Sequence, residues 1–178
     1  RDRPIIMSTG MATLAELDEA VRAARGAGCR DLILLQCTSS YPADPGHSNL
    51  ANIPELRRLF HCEAGLSDHT LGIGASVASV ALGATLIERH FTSARADGGV
   101  DAAFSLEPAE LRQLVQETRT AWQALGTVAI GPTPIEMGSR KTRRSLYICE
   151  DLAAGDVLTE KNLRAIRPGL GLPPRHLE

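Results

Sequence analysis

Four short runs along the first 92 residues constrain the fold most. They are "PIIMSTG" (Pro4 to Gly10), "DLILLQCTSSYP", "EAGLSDHT" and "TLIERHFT". Each is apolar nearly throughout and then breaks into small or polar residues. Between them lie segments with helical spacing. Strands that are apolar on both faces and alternate with amphipathic helices predict a parallel sheet covered by helices. Two architectures satisfy that order: an open doubly wound sheet and half of a (β/α)8 barrel. In both, function gathers at the carboxyl ends of the strands. Here all four ends are polar: Ser8-Thr9, Thr38 to Tyr41, Ser67-Asp68-His69, and His90. Four polar ends in succession suit a barrel mouth better than a single crevice.

The helices are legible from caps and stripes. Thr13 and Glu16 form a T-x-x-E capping box. Leu14, Leu17, Val21 and Ala24 then repeat at helical spacing until Gly26 and Gly28 end the helix. Pro54 stands in the first turn of "NIPELRRLF". "IGASVASVALGA" is a small-residue helix suited to close packing. "EPAELRQLVQETRTAWQALG" carries the stripe Leu111, Leu114, Val115, Thr118, Trp122 and Leu125. After Gly126 the pattern changes. Residues 127–143 read as a linker rich in Gly, Pro and Arg. Residues 144–178 begin a small β-rich domain with a strand, a turn at Ala154-Gly155-Asp156, a brief helix from Thr159 and an Arg-Pro-Gly loop.

Composition excludes more than it proposes. A formal charge of -2 with 22% charged residues gives no reason to expect nucleic acid. The cluster from Arg140 to Arg144 reads as a solvated turn. No apolar stretch is long enough to span a bilayer, so no membrane is expected. Cys29, Cys37, Cys62 and Cys149 form no C-x-x-C pair and read as free thiols in a reducing cytoplasm. Cys37 reads as a buried small hydrophobe.

His69 and His90 follow neighbouring strands, so their imidazoles can converge above the barrel mouth. Two neutral imidazoles make a partial metal site; two unrelated polar residues at loop starts are the alternative. A structural zinc wants four protein ligands, and no third is evident. A divalent ion that keeps several waters, Mn2+ or Mg2+, fits better. Asp68 and Glu88 flank the histidines as candidate partners that fix an imidazole tautomer. Ser8, Ser39 and Ser67 sit near strand ends, where hydroxyls can hold phosphate or carboxylate oxygens and where serine is also common simply as a loop-start residue. Asp101 follows a Gly-Gly turn, where it reads either as an acceptor for a sugar hydroxyl or as a solvated loop aspartate.

The blocks "IIMSTGMATLAEL", "QCTSSYPA", "GLSDHTLGIG", "LGATLIERHFT", "RRSLY" and "DLAAGDVLTEKNLRAIRPGLGLPPRHL" together resemble the N-acetylneuraminate (sialic acid) synthase family, in order and across essentially the whole chain. "ARADGGVDAAFSLEP" and Gln36 resemble its pseudaminic acid branch more closely. The resemblance implies an α/β fold: the C-terminal half of a (β/α)8 TIM barrel (residues 1–126, strands five to eight) and the start of a small antifreeze-like (SAF) domain. It implies condensation of phosphoenolpyruvate with an amino-sugar aldehyde, here 2,4-diacetamido-2,4,6-trideoxy-L-altrose, to give pseudaminic acid and phosphate. By the same resemblance His69 and His90 are the metal ligands, and with Asp101 the catalytic set. Ser8 and Ser67 hold phosphoenolpyruvate. Ser39 stands where sialic acid synthases carry Asn. Tyr41 and Asp101 match sugar-binding positions. Arg167 matches an arginine offered to the partner subunit's site, which implies a domain-swapped homodimer.

The family's first barrel half carries a catalytic glutamate and the lysines that neutralise phosphoenolpyruvate. The only lysines here are Lys141 and Lys161. We therefore expect a longer native chain and no synthase activity from these residues alone. The alternatives are N-acetylneuraminate or legionaminic acid synthesis, and a non-catalytic truncated barrel that acts as a binding module.

Overall fold

The computed structural model describes residues 3–177. They form two compact units, Arg1–Gly126 and Thr127–Glu178.

In the first unit the apolar runs become β1 (Ile5–Ser8), β2 (Leu32–Cys37), β3 (Glu63–Asp68) and β4 (Ile87–Arg89). They pair in parallel in the order β1-β2-β3-β4. Each strand adds on the same side of its predecessor, so the order never reverses. A doubly wound sheet needs that reversal to make its switch-point crevice. The result is a curled parallel half-barrel sheet with open edges at β1 and β4.

The connecting helices are α1 (Leu14–Gly26), α2 (Asn52–Phe60), α3 (Gly74–Ala81) and α4 (Pro108–Leu125). The Thr13–Glu16 capping box forms: the Glu16 carboxylate accepts from the Thr13 backbone N–H at 2.7 Å and from its hydroxyl at 2.7 Å. These bonds hold the Glu16 carboxyl below its usual range. Leu17 and Val21 of α1 and Ile53, Leu56 and Phe60 of α2 pack with Leu32, Leu34, Ala64 and Leu66 in one core. Registered residues share a face of a sheet, so these strand positions define the helix side. The opposite face carries Ile6, Ser8, Leu35, Cys37, Gly65, Ser67 and Glu88. Gly65 is required there. A Cβ on it would lie 2.1 Å from the Leu86 carbonyl oxygen and 2.8 Å from Leu35 Cδ2.

Two expectations about the first unit need correcting. Cys37 is half-buried, because it faces the open side of the sheet. The α4 stripe is largely uncovered: Leu114 is buried, but Trp122 is 68% exposed and Val115 and Leu125 are also exposed. With Val80 and Ile87 this stripe lines a mostly apolar groove of about 470 Å³. The groove lies away from the polar strand ends.

In the second unit β5 (Ser145–Ile148) pairs antiparallel with β6 (Leu163–Ile166). The linker expected over 127–143 carries two short 3-10 turns, Pro134–Glu136 and Gly138–Thr142. The brief helix expected from Thr159 does not form. The Asn162 side chain accepts from the Thr159 N–H at 2.7 Å and donates to the Val157 carbonyl at 3.1 Å. That side chain replaces a helical turn with a tight loop into β6, as Asn does when it competes with backbone pairing. Among the described residues no helix is long and apolar enough to cross a membrane.

Candidate functional site

Side chains alternate along a strand, and this alternation builds the site. Ser67 registers with Glu88, and Asp68 with Arg89. His69 and His90 follow directly, so they continue on the face of Ser67 and Glu88, away from the helices. The two imidazoles meet there: their ring centroids are 5.2 Å apart at 60°. With Glu88 and Arg89 they bound a cleft of about 280 Å³.

Each ring is held. His69 Nδ1 lies 3.0 Å from the Thr38 carbonyl oxygen. A carbonyl can only accept, so this contact requires the proton on Nδ1 and leaves Nε2 as the ring nitrogen not engaged by it. His90 Nδ1 lies 3.5 Å from Asp101 Oδ2. Tyr41 packs on His69 with a centroid distance of 4.3 Å and reaches His90 at 5.9 Å. Phe104, which is buried, meets the edge of His90 at 5.0 Å and Tyr41 at 5.6 Å.

Four of the residues expected from the sequence therefore come together: His69, His90, Tyr41 and Asp101. Ser67 lies one rung below on the same face, where its hydroxyl donates to Glu88 at 2.7 Å. Ser8 sits exposed at the end of β1, also on that face. Ser39 abuts the turn after β1 so closely that a Cβ on Gly10 would lie 2.2 Å from its Oγ. Arg167 is exposed in the second unit, just after β6.

Asp68 does not orient an imidazole. It points to the helix side and pairs with Arg89, while the Thr38 carbonyl takes the partner role at His69. Glu88 is bonded to Ser67 instead. Gln36 also faces the helices, where it donates to the Ser48 carbonyl and accepts from Asn52. These bonds brace the helix side of β2 beneath the site. Phe104 and the Thr38 carbonyl were missed in the sequence. A backbone oxygen has no letter of its own, and "DAAF" gives no hint that its ring returns to His90.

Two imidazoles that share one face, one with Nδ1 tied to a carbonyl, form a donor set suited to a divalent cation. Among the described residues no third His, Cys, Asp or Glu completes an all-protein metal cage.

The model of the NeuB family matches residues 1–129. The chain belongs to the NeuB family. It is 38% identical over 173 residues to a pseudaminic acid synthase of Campylobacter jejuni, covering 97% of this chain and 50% of that protein. It is likewise 38% identical over 180 residues to an N,N'-diacetyllegionaminic acid synthase of the same species, covering 99% of this chain and 54% of that protein. Among solved structures it matches an N-acetylneuraminic acid synthetase of Leptospira borgpetersenii crystallised with citrate. The TM-score is 0.68 at 36% identity, over 75% of this chain and 47% of that one. The chain thus spans about half the length of the relatives it matches.

Proposed function

We propose that this NeuB-family chain supplies the metal-binding half of a nonulosonic acid synthase. Residues 1–126 would be strands five to eight of the barrel, and residues 144–178 the start of an SAF domain. The reaction joins phosphoenolpyruvate to an amino-sugar aldehyde, and the pseudaminic precursor 2,4-diacetamido-2,4,6-trideoxy-L-altrose is the favoured sugar. The observation that carries this reading is the approach of His69 and His90 to 5.2 Å on the open face of the sheet.

His69 and His90 would hold a divalent ion, Mn2+ or Mg2+. Bound there, such an ion supplies Lewis-acid polarisation of the sugar aldehyde. The other residues bind and orient. Tyr41 offers a flat face beside the histidines for the sugar. The Asp101 carboxylate accepts from a sugar hydroxyl while it steadies His90. Ser8, Ser39 and Ser67 offer hydroxyls to the phosphate and carboxylate of phosphoenolpyruvate. In the overall reaction the methylene carbon of phosphoenolpyruvate bonds to the aldehyde carbon, and the aldehyde oxygen gains a proton. Water adds at the former enol carbon, and phosphate departs with its C–O bond cleaved. Arg167 would reach a partner subunit's site in a domain-swapped homodimer and grip sugar oxygens through its planar fork.

The test is phosphate release by the full-length protein supplied with phosphoenolpyruvate and each precursor sugar in turn. We expect His69→Ala and His90→Ala each to lower the rate at least about a hundredfold, and EDTA to abolish it. Turnover that survives both substitutions would refute the site. Preference for the legionaminic or neuraminate precursor would change the sugar and keep the chemistry.

A further inference from the structure

One buried charged network beside the histidines has no part in the chemistry above. Asp68 and Arg89 are register partners on the helix side of β3 and β4, and their side chains are 1% and 4% exposed. Arg89 Nη1 donates to Asp68 Oδ2 at 2.5 Å, and Nη2 donates to the Thr70 carbonyl at 2.7 Å. Asp68 Oδ1 accepts from the Thr70 N–H at 2.8 Å, and Oδ2 also accepts from the hydroxyl of Ser76 in the first turn of α3. The residues on both sides of His69 are therefore gripped by one guanidinium, Asp68 through its carboxylate and Thr70 through its carbonyl, and that guanidinium leaves the chain one residue before His90.

We infer that the Asp68–Arg89 pair is a positioning device: a cross-strand clamp that fixes the separation and aim of His69 and His90. The inference rests on the divalent-ion reading of those histidines.

Three observations favour this role over the alternatives. Arg89 Nε is buried without a partner. The two Nη groups of Arg89 are already bonded to Asp68 and Thr70, so the guanidinium is engaged within the protein rather than offered to a substrate. Stability alone does not account for the pair, because burying two charges costs more than packing apolar groups of similar volume, and here one donor is left unsatisfied. The bonds are also placed where spacing is decided. On the opposite face the two strands share the single Ser67–Glu88 bond. Beyond Asp68 and Arg89 the β3–β4 pairing ends; each ring then has its own neighbours, Thr38 and Tyr41 at His69 and Asp101 and Phe104 at His90, and the clamp ties the two strands to each other at the last paired rung.

The test compares the full-length wild type with Arg89→Lys and with the neutral pair Asp68→Asn/Arg89→Gln, which avoids a lone buried charge. Mn2+ affinity is read from the electron paramagnetic resonance signal of free Mn2+, and folding from the melting temperature. Partners behind metal-ligating histidines typically account for ten- to hundredfold in affinity. We expect the neutral pair to lose Mn2+ affinity in that range while it still melts cooperatively. Arg89→Lys keeps the charge but loses the second arm, and should fall between. A cooperatively folded neutral pair with wild-type Mn2+ affinity overturns the clamp. Crystal structures of the wild type and the neutral pair give a readout that needs no metal. The clamp predicts that the ring centroids leave their 5.2 Å separation by about 1 Å or more; unmoved rings overturn it. A wild type that binds no Mn2+ sinks the ion reading, and the ring separation then decides the clamp alone.

Discussion

The two units are held together differently. Every buried hydrophobic side chain among the described residues lies in the first, from Leu17 to Leu114. The second buries only Ser145 and Asn162, and leaves Ile148, Val157, Leu158, Leu170 and Leu172 exposed. Its order comes from a two-stranded ladder, from the Asn162 loop, and from backbone bonds such as Leu146 N–H to the Leu172 carbonyl at 2.8 Å. A two-stranded sheet without an apolar core is marginal in water. The first unit can therefore hold side chains to a fixed geometry, and the second offers groups on a frame that needs something else to steady it.

Core truncation should separate the units most. Leu34→Ala removes a fully buried side chain and should cost about 2–5 kcal/mol. Leu158→Ala, at an exposed site in the second unit, should stay within about 0.5 kcal/mol. Chemical denaturation of the two variants checks the pair, and equal costs would break the contrast. Gly65→Ala should come next. Its Cβ would meet backbone, which cannot swing aside, so roughly 3 kcal/mol is expected from overpacking, read as a lower melting temperature. Native-state hydrogen exchange sharpens the comparison without substitutions. Amides of β2 should be the slowest and those of β5 and β6 should open at far lower free energy. The smallest effect belongs to the α1 cap, where Thr13→Ala should cost about 1 kcal/mol. The Glu16 carboxyl is depressed in the folded chain by its bonds to Thr13. Its contribution is therefore present above the ordinary glutamate range and lost as pH falls through the depressed value. A stability difference between wild type and Thr13→Ala that shrinks on acidification would confirm the sign.

Much of the first unit was legible because period and position carry the information. Continuous apolar runs marked the strands, caps and stripes marked the helices, and polar strand ends marked the mouth. What stayed hidden depended on faces and backbone. Asp68 reads in the sequence as His69's neighbour and hence its partner, yet consecutive strand residues point to opposite sides. Arg89, flanked by Glu88 and His90, has the look of a surface charge and is almost wholly buried. The turn at Thr159 was misread because Asn162 bonds to local backbone, a choice that helical propensity does not encode. The second unit was harder throughout, since without a core there is no hydrophobic rhythm to follow.

The alternation along β3 and β4 also sets a rule for any reshaping of this edge. Inserting or deleting one residue within β4 would carry His90 to the helices and bring the guanidinium out into the mouth. Two-residue changes would preserve the parity of the strand but shift the ring along its axis. The histidine end of the sheet is thus protected by counting: the strands leading up to the two rings cannot gain or lose a single position, and the segment after Thr92 must still return Asp101 and Phe104 to His90.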